Sequence, residues 1–425
     1  MAAVRPRSAP APEGAEPGAR RGFWAAARGA AGRGAVAFGR ALIPIVLAMI
    51  VNGIILAIMG KNPLTFYGQM FSSGLFNGQG FEQTIIRMAP LLLMGAGLIV
   101  AFTAGIWNIG GDGQFLMAVA VVCGLGPPLM GAVPRALGLI ILLVVSFVVG
   151  GVWTLVPAFL KARYALNEII TSLMMAFIGI DLADMLIKGP FRTHLSTVPQ
   201  TNVIPFQKLL PAIPGTSVHV GILLALAVGL VVHWTLTRTA FGLRLRVLGA
   251  SPRAAVHSGI SVFKMTMIAF FLSGALIGLA GGTEILGVWG YVRADWNPGW
   301  GFMMFAIVFL ARLNTLACIP IVGFLAVVQL GGHTAAQNVG VPDDFILLFV
   351  ALILLFMAVT DLLRTGRLFG RRPREIVRLT PATAATSETA VGSPTGSSTA
   401  RPGAPSPAPF AAPTAPSPVP GGSDE

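Results

Sequence analysis

The sequence predicts an all-α protein that crosses a membrane many times, and three observations predict it. The chain has 425 residues, of which 55% are hydrophobic and 11% are charged, whereas soluble domains carry about 25% charged residues. Apolar stretches of about 20 residues recur along the chain, and each is long enough to cross roughly 30 Å of hydrocarbon. Arginines cluster before the first stretch and after the last one, which is typical of cytoplasmic flanks.

The sequence contains about ten candidate transmembrane helices. They lie near residues 41–60, 84–104, 113–130, 136–160, 166–187, 218–236, 262–288, 300–314, 317–332 and 344–363. Lys and Arg are concentrated in the loops after even-numbered spans, so both termini are expected to be cytoplasmic. This bias also accounts for the formal net charge of +13, and no nucleic-acid partner is expected.

Two flanking segments lack the pattern of a folded domain. Residues 1–40 are expected to be a disordered basic arm, and residues 364–425 a basic stretch followed by a disordered tail rich in Pro, Ala, Ser and Thr. The membrane domain between them covers residues 41–363, with a long cytoplasmic loop at 237–261. We assign no chemistry to the flanks.

The stretch GIWNIGGDGQ at Gly105–Gln114 separates two apolar runs. Its glycines disfavour a regular helix, and irregular backbone at membrane depth must be buried in protein or line a water-filled space. Two interpretations remain open: a break beside a path through the membrane, or a tight cytoplasmic turn in which Asp112 favours a helix N-terminus. The candidate site residues are Asn108, Gly110, Gly111, Asp112, Gly113 and Gln114.

A second stretch echoes the first. Trp107-Asn108-Ile109-Gly110 and Trp296-Asn297-Pro298-Gly299 share the pattern W-N-x-G, and five spans separate them. An odd offset reverses the direction of crossing, as in inverted repeats of five helices, which place a translocation path at their interface. Trp296 and Asn297 therefore join the candidate path residues, although a match of this length also arises by chance.

Two polar residues open the fifth span. Asn167 suits the N-cap position, and Glu168 suits the first turn of the helix. The alternative is that Glu168 acts in gating or contacts a partner subunit.

The loop at 237–261 contains a short capped helix. Ser251 fits the N-cap, Pro252 the first helical position and Gly259 the position after the helix, so a helix is predicted over Pro252–Ser258. Two turns are unstable alone in water. We therefore expect this helix to dock on another protein rather than to be an ordinary basic loop. Its residues are Ser251, Pro252, Arg253, Ala254, Ala255, Val256, His257, Ser258 and Gly259.

Sequence signatures of catalysis are missing from the chain. It contains no GxxxxGK[ST] phosphate loop, no HExxH or other metal-ligand spacing and no GxSxG nucleophile elbow. We expect neither an enzyme nor a metal site in this chain.

Three signatures in order carry a family resemblance: GIWNIGGDGQ, NEIITSLMM at Asn167–Met175 and FGLRLRVLGASPRAAVHSGIS at Phe241–Ser261. The chain resembles permease subunits of bacterial ABC importers of the branched-chain amino acid and ribose type. It is most similar to the branch for nucleosides and simple sugars that works with basic-membrane-protein-type lipoprotein receptors. Asp112 stands where the family more often has Glu, and the stretch at 303–311 is bulkier than usual.

The resemblance implies a multi-pass protein of the bacterial inner membrane that forms the path for a small polar solute, a nucleoside or simple sugar. It implies two cytoplasmic ATPase subunits, which would hold ATP and Mg, an external solute-binding lipoprotein and a second permease, with a heterodimer favoured. No cofactor is expected in this chain. The alternative is an ion-coupled secondary transporter, for which Asp181, Asp184 and Glu284 are the further acidic candidates.

Overall fold

The computed structural model describes residues 42–342 and 345–364, which form an all-helical bundle with isolated β-bridges and no strand. The predicted N-terminal arm at 1–40 and the tail beyond residue 364 lie outside the described residues. The helices, in chain order, are α1 (Leu42–Ile58), α2 (Pro63–Phe71), α3 (Gly78–Thr103), α4 (Gly111–Ala132), α5 (Arg135–Trp153), α6 (Leu155–Tyr164), α7 (Glu168–Lys188), α8 (Gly221–Arg238), α9 (Ala240–Ala250), α10 (Pro252–His257), α11 (Val262–Glu284), α12 (Trp300–Leu310), α13 (Thr315–Val339) and α14 (Phe345–Arg364).

Seven helical stretches in the described part of the chain are long and apolar enough to cross a membrane. They are α3, α4, α5 continued into α6, α7, α8, α11 continued through a π-helical turn, and α13. Three shorter apolar helices coincide with the remaining predicted spans: α1, α12 and the apolar part of α14. Helix α12 has 11 residues and is about 16 Å long, so the predicted span 300–314 is a half-length helix.

The bundle has two distinct ends. At one end, here called the α10 end, the ends of α3, α8 and α9 and the start of α13 surround a cavity of about 350 Å³. At the other end, here called the loop end, the segment 189–220 is bonded to the segment 290–299. Thr201 N donates to Val292 O at 3.0 Å, and Ile204 N donates to Gly290 O at 2.9 Å. The chain therefore returns from the loop end to the α10 end through α12.

Helix α2 was not predicted. The Asn62 side chain accepts from Leu64 N at 2.9 Å, and Pro63 occupies the first helical position. This pair is an N-terminal signal visible in the sequence. The helix lies against α13, where Gly331 meets the Met70 carbonyl, and in the π-helical turn that follows it Gly74 meets Val327 of α13. The segment between the first two predicted spans is thus part of the packed bundle.

Candidate functional site

Residues 105–110 form an extended segment that passes from the α10 end into the bundle. Ile106, Asn108 and Gly110 are buried, whereas Trp107 is 41% exposed, so burial alternates with the period of extended backbone. Gly105 has a φ of +70°, which glycine adopts without steric cost. The segment is therefore a structured break between α3 and α4.

The amides of Asn108 and Gln114 form a reciprocal pair. Asn108 Nδ2 donates to Gln114 Oε1 at 3.1 Å, and Gln114 Nε2 donates to Asn108 Oδ1 at 2.7 Å. Asn108 Nδ2 also donates to Ser273 Oγ of α11 at 3.0 Å. Both amides are buried and occupied by these bonds. They fix the break against α11 instead of presenting hydrogen-bonding groups to a solute.

Asp112 connects two helix N-termini. It lies in the first turn of α4, yet its Oδ1 accepts from Gly301 N of α12 at 2.7 Å, and the carboxylate also accepts from Phe302 N. A carboxylate is favourable at a helix N-terminus because unpaired N–H groups and the helix dipole meet there. Asp112 is 3% exposed, so it is neither a residue of an exposed turn nor a group on an open surface.

The glycines around Asp112 permit close backbone contacts. A Cβ on Gly111 would lie 3.2 Å from Gly301 Cα, and one on Gly113 would lie 2.7 Å from Ala176 Cα on α7. Helices α4, α7 and α12 therefore converge at the break, which explains the glycines as packing residues.

The W-N-x-G echo has a counterpart in backbone geometry. Asn108 Oδ1 accepts from Gly110 N at 3.3 Å, and Asn297 Oδ1 accepts from Gly299 N at 2.9 Å. Gly110 is the N-cap of α4 and Gly299 the N-cap of α12. Both motifs thus make the same side-chain turn immediately before a helix. They differ in exposure, because Asn297 lies on the surface.

Asn167 and Glu168 occupy the predicted capping positions of α7. Asn167 Oδ1 accepts from Ile169 N at 3.0 Å, and Glu168 pairs with Lys161 of α6 at 2.7 Å. One turn further along, Ser172 Oγ accepts from Ile109 N at 3.1 Å. The capping interpretation is confirmed, and the start of α7 is joined to both α6 and the break.

An aromatic cluster covers the outer side of the break. The Phe102 ring lies 4.8 Å from Phe309 and 5.4 Å from both Trp107 and Phe305, measured between ring centroids. Sequence reasoning missed Phe305 and Phe309, and it also missed Ser172 and Ser273. Their positions in the sequence form no motif or spacing that would distinguish them from the other phenylalanines and serines of the chain.

Helix α10 agrees with the prediction to within one residue. Ser251 Oγ accepts from Ala254 N at 3.3 Å, Pro252 begins the helix and Gly259 follows it with a φ of +72°. Ala255 is fully buried against the chain, whereas Ala254 and His257 are exposed and Val256 is 62% exposed. Of the residues predicted to form the docking helix, Ala255 therefore packs inside this chain and is not open to a partner.

The end of α9 is in contact with the break. A Cβ on Gly105 would lie 2.9 Å from Gly249 Cα, and one on Gly249 would lie 2.8 Å from Gly105 N. Two glycines therefore bring backbone against backbone, and no side chain separates α9 from the break.

A buried acidic residue lies near the loop end. Glu284 is 1% exposed, its Oε1 accepts from Trp289 Nε1 at 2.9 Å, and the charge of Arg87 acts on it. The Arg87 guanidinium lies 5.2 Å from the centroid of the Trp300 ring. Within the described residues no group of three or more His, Cys, Asp or Glu is arranged to hold a metal ion.

Comparisons with known proteins place these features in a family. The model of the branched-chain amino acid transport system permease component matches residues 80–358. A glucose ABC transporter permease protein of Haloferax volcanii is 30% identical over 79% of this chain and 92% of its own length. A guanosine ABC transporter permease protein of Bacillus subtilis is 26% identical over 76% and 93%, and a probable riboflavin import permease protein of Treponema pallidum is 26% identical over 74% and 84%. No solved structure matches.

Proposed function

Because this chain belongs to the family of branched-chain amino acid transport system permease components, we propose that it forms one wall of the translocation path of an ATP-driven importer. It is an ABC permease subunit and a multi-pass protein of the plasma membrane, and ATP hydrolysis belongs to a separate subunit. Permeases of this kind associate with an ATPase and a substrate-binding protein.

The observation that carries the proposal is the continuous contact from α10 to the break. Helix α10 presents Ala254, Val256 and His257 to the outside, and Ala255 attaches it to the rest of the chain. Helix α9 ends at the Gly249–Gly105 contact. An ATPase bound to α10 would therefore move α9, and α9 would move the start of the break.

The break would pass this movement to α4 and α12. Asp112 joins the N-termini of these helices, so a shift of one displaces the other. Trp107, Phe305 and Phe309 lie on the same side of the break and would open or close the path at the α10 end. In this mechanism Asn108 and Gln114 stabilise the moving segment, while Trp107 contacts the solute.

The proposed topology has ten crossings with both termini in the cytoplasm. Its support is the basic character of the α10 end, where Arg238, Arg244, Arg246 and Arg253 are exposed. The matching turns at Asn108 and Asn297 support two inverted halves that meet at Asp112. Helix α12 and its extended lead-in would together make the eighth crossing.

The proposed assembly contains a second permease, with a heterodimer favoured, and ATP and Mg would be held by the ATPase subunits. The proposed solute is a nucleoside or a simple sugar, because the relatives are named for glucose, guanosine and riboflavin. The external receptor would be a lipoprotein. Membership of the family favours ATP coupling over the ion-coupled alternative. Uptake that stops on ATP depletion and continues with a protonophore separates the two.

Substitution on α10 tests the docking role. Ala254→Trp and Val256→Glu change exposed side chains, and we expect each to abolish co-purification of the ATPase with this chain. Val198→Glu is the matched control, because Val198 is also exposed but lies at the loop end. Normal ATPase association and uptake in both α10 variants would contradict the assignment. Ala255 is not a suitable position, since a larger side chain there would disrupt packing.

A further inference from the structure

Two adjoining clefts flank the loop-end segment 290–299. One of about 210 Å³ lies beside Trp289, Tyr291 and Val292, and the other, of about 200 Å³, lies beside α7. Arg293 and Trp296 line both, so we treat them as one double cleft. Each volume alone lies below the range of about 300–1,000 Å³ found for small-molecule sites, so a solute of that size would occupy both clefts.

The two halves of the double cleft differ in chemistry. The first half is mainly aromatic and aliphatic, with the indole rings of Trp289 and Trp296 at 6.3 Å and an interplanar angle of 62°. The second half carries the carboxylates of Asp181, Asp184 and Asp295. A solute that fits both halves has a flat apolar ring at one end and hydrogen-bond donors at the other.

The segment that carries the cleft is held in place. Lys188 bridges Asp184 at 2.5 Å and Asp295 at 3.0 Å, and Asp295 N donates to Asp184 Oδ1 at 2.8 Å. Trp289 is fixed by its bond to Glu284, and Trp296 packs on Phe115 at 6.1 Å. The ring walls are therefore positioned before a solute arrives, which lowers the ordering cost of binding.

Asp181 is the carboxylate available to a solute. Asp184 and Asp295 share Lys188, whereas no ion pair to Asp181 occurs within the described residues. Asp181 is exposed on α7 beside the exposed apolar residues Phe177 and Ile178. A carboxylate on a spanning helix belongs next to water or protein rather than lipid. This face of α7 therefore borders water or another protein chain.

The charge of the cleft selects against anions. Three carboxylates oppose two cations, Lys188 and Arg293, which leaves a net negative charge. A phosphorylated solute would meet repulsion here. The hydroxyl groups of a neutral solute would instead donate hydrogen bonds to the Asp181 carboxylate, and the solute would accept a hydrogen bond from Arg293.

We propose that the double cleft is a docking site for a neutral nucleoside, with the flat base against Trp289 and Trp296 and the ribose hydroxyls on Asp181. This inference rests on the proposed function and narrows the solute class from nucleosides or sugars to nucleosides. The base would supply stacking that a simple sugar lacks, and the ribose would supply the hydroxyl donors.

Equilibrium binding tests the site. The transporter is purified through a tag on this chain, placed in lipid nanodiscs without its external receptor and titrated with guanosine, ribose and guanosine 5′-monophosphate. We expect guanosine to bind at least about fivefold more tightly than ribose, since base–aromatic stacking contributes about 1–3 kcal/mol. The monophosphate should bind more weakly than guanosine.

Substitutions in each half of the double cleft test which part of the solute binds there. Trp296→Leu should weaken guanosine binding at least about fivefold and leave ribose unchanged, while Trp296→Phe keeps a flat ring and should retain most of the affinity. Asp181→Asn should weaken guanosine but not 2′,3′-dideoxyguanosine, which lacks the hydroxyls. Trp234→Leu is the control, because Trp234 is exposed on α8, away from the cleft.

The outcomes separate this inference from the proposed function. If cells take up guanosine with ATP but Trp296→Leu and Asp181→Asn leave binding unchanged, the cleft assignment is wrong and the importer assignment stands. If the purified transporter binds ribose as tightly as guanosine, the nucleoside class is wrong. If ATP-driven uptake of nucleosides and sugars is absent altogether, the proposed solute class fails together with the cleft.

Discussion

At the scale of single residues, Asp112 determines how two helices meet. Its carboxylate lies in the first turn of α4 and accepts backbone N–H groups from the first turn of α12. Unpaired N–H groups at a buried helix end are costly. The Asp112 carboxylate therefore satisfies N–H groups at the N-terminus of α12, and its negative charge also complements the dipole of α4. Gly301 makes room for this arrangement, because a Cβ there would lie 2.8 Å from Asp112 Cγ.

Replacing Asp112 should destabilise the protein by an amount that depends on the remaining acceptor. Asp112→Ala leaves the N–H groups of Gly301 and Phe302 without their acceptor, at a cost of about 1–3 kcal/mol. Asp112→Asn keeps one acceptor oxygen and should cost less. The measurement is the unfolding midpoint in detergent. Asp181→Ala, on an exposed face, is the control, and equal midpoints for Asp112→Ala and the wild type would refute the capping role.

His219 introduces a dependence of stability on pH. It lies outside the spanning helices, its Nδ1 accepts from Gly221 N at 3.1 Å, and burial lowers the pKa of His219 from 6.5 to about 4. The unfolded chain therefore takes up a proton below about pH 6.5, which the folded chain binds only near pH 4. The free energy of unfolding is therefore independent of His219 ionisation above about pH 6.5, and it decreases as the pH falls from 6.5 towards 4.

We expect the loss to reach roughly 3 kcal/mol at most between pH 6.5 and 4. The check is the unfolding midpoint of the wild type and of His219→Gln at several pH values, where the variant should have a smaller acid slope. His194→Gln alters an exposed histidine of the same loop and should retain the wild-type slope. Parallel curves for the wild type and His219→Gln would show that His219 does not carry the effect.

At the scale of elements, a glycine contact connects α9, which precedes the proposed docking helix α10, to the break. Gly249 at the end of α9 and Gly105 at the start of the break touch through their backbones. Because no side chain lies between the two backbones, a rotamer change cannot absorb a displacement at such a contact. A similar glycine contact joins α5 to α11, where Gly150 faces Gly278. Small residues at helix contacts are common in membrane proteins, since packing is the main attraction between helices there.

Gly249→Ala should weaken coupling. The added methyl group would press on the Thr103 carbonyl oxygen and lie 2.8 Å from Gly105 N, and overpacking of this kind costs about 1–3 kcal/mol. Because α10 is unchanged, we expect the ATPase to remain bound, whereas uptake per ATP hydrolysed falls. Gly131→Ala is the control, since nothing lies within 4 Å of its Cβ position. Unchanged uptake per ATP hydrolysed in Gly249→Ala would exclude the Gly249–Gly105 contact as the route of coupling.

The sequence contained most of the helices but little of the site geometry. Capping chemistry is local, so Asn167 predicted where α7 begins, and Ser251, Pro252 and Gly259 predicted where α10 begins and ends. The pairing of Asn108 with Gln114 and Ser273, and of Asp112 with Gly301, depends on tertiary contacts that no local spacing encodes. Hydropathy likewise placed a span at 300–314, because composition does not show that α12 ends at Leu310 and that residues 311–314 form a turn.

At the scale of the whole molecule, exposed side chains distinguish the faces of the bundle. Helices α5 and α8 expose aliphatic rows such as Ile140, Val144 and Leu230, which suit lipid. Helix α7 exposes Asp181 among apolar residues, which suits an aqueous boundary with a partner subunit. The proposed path therefore runs along α7, between the aromatic cluster at the α10 end and the double cleft at the loop end.

Cysteine labelling tests this arrangement across the membrane. The native Cys123 and Cys318 are buried and free, so a single introduced cysteine reports its own exposure. Thr197→Cys places a thiol on the exposed loop end, and Ser258→Cys places one beside α10. With the α10 end in the cytoplasm, an impermeant maleimide should label Thr197→Cys in intact cells and Ser258→Cys only after the membrane is opened. The wild type should stay unlabelled, and the reverse pattern would put α10 outside the cell, where no ATPase could reach it.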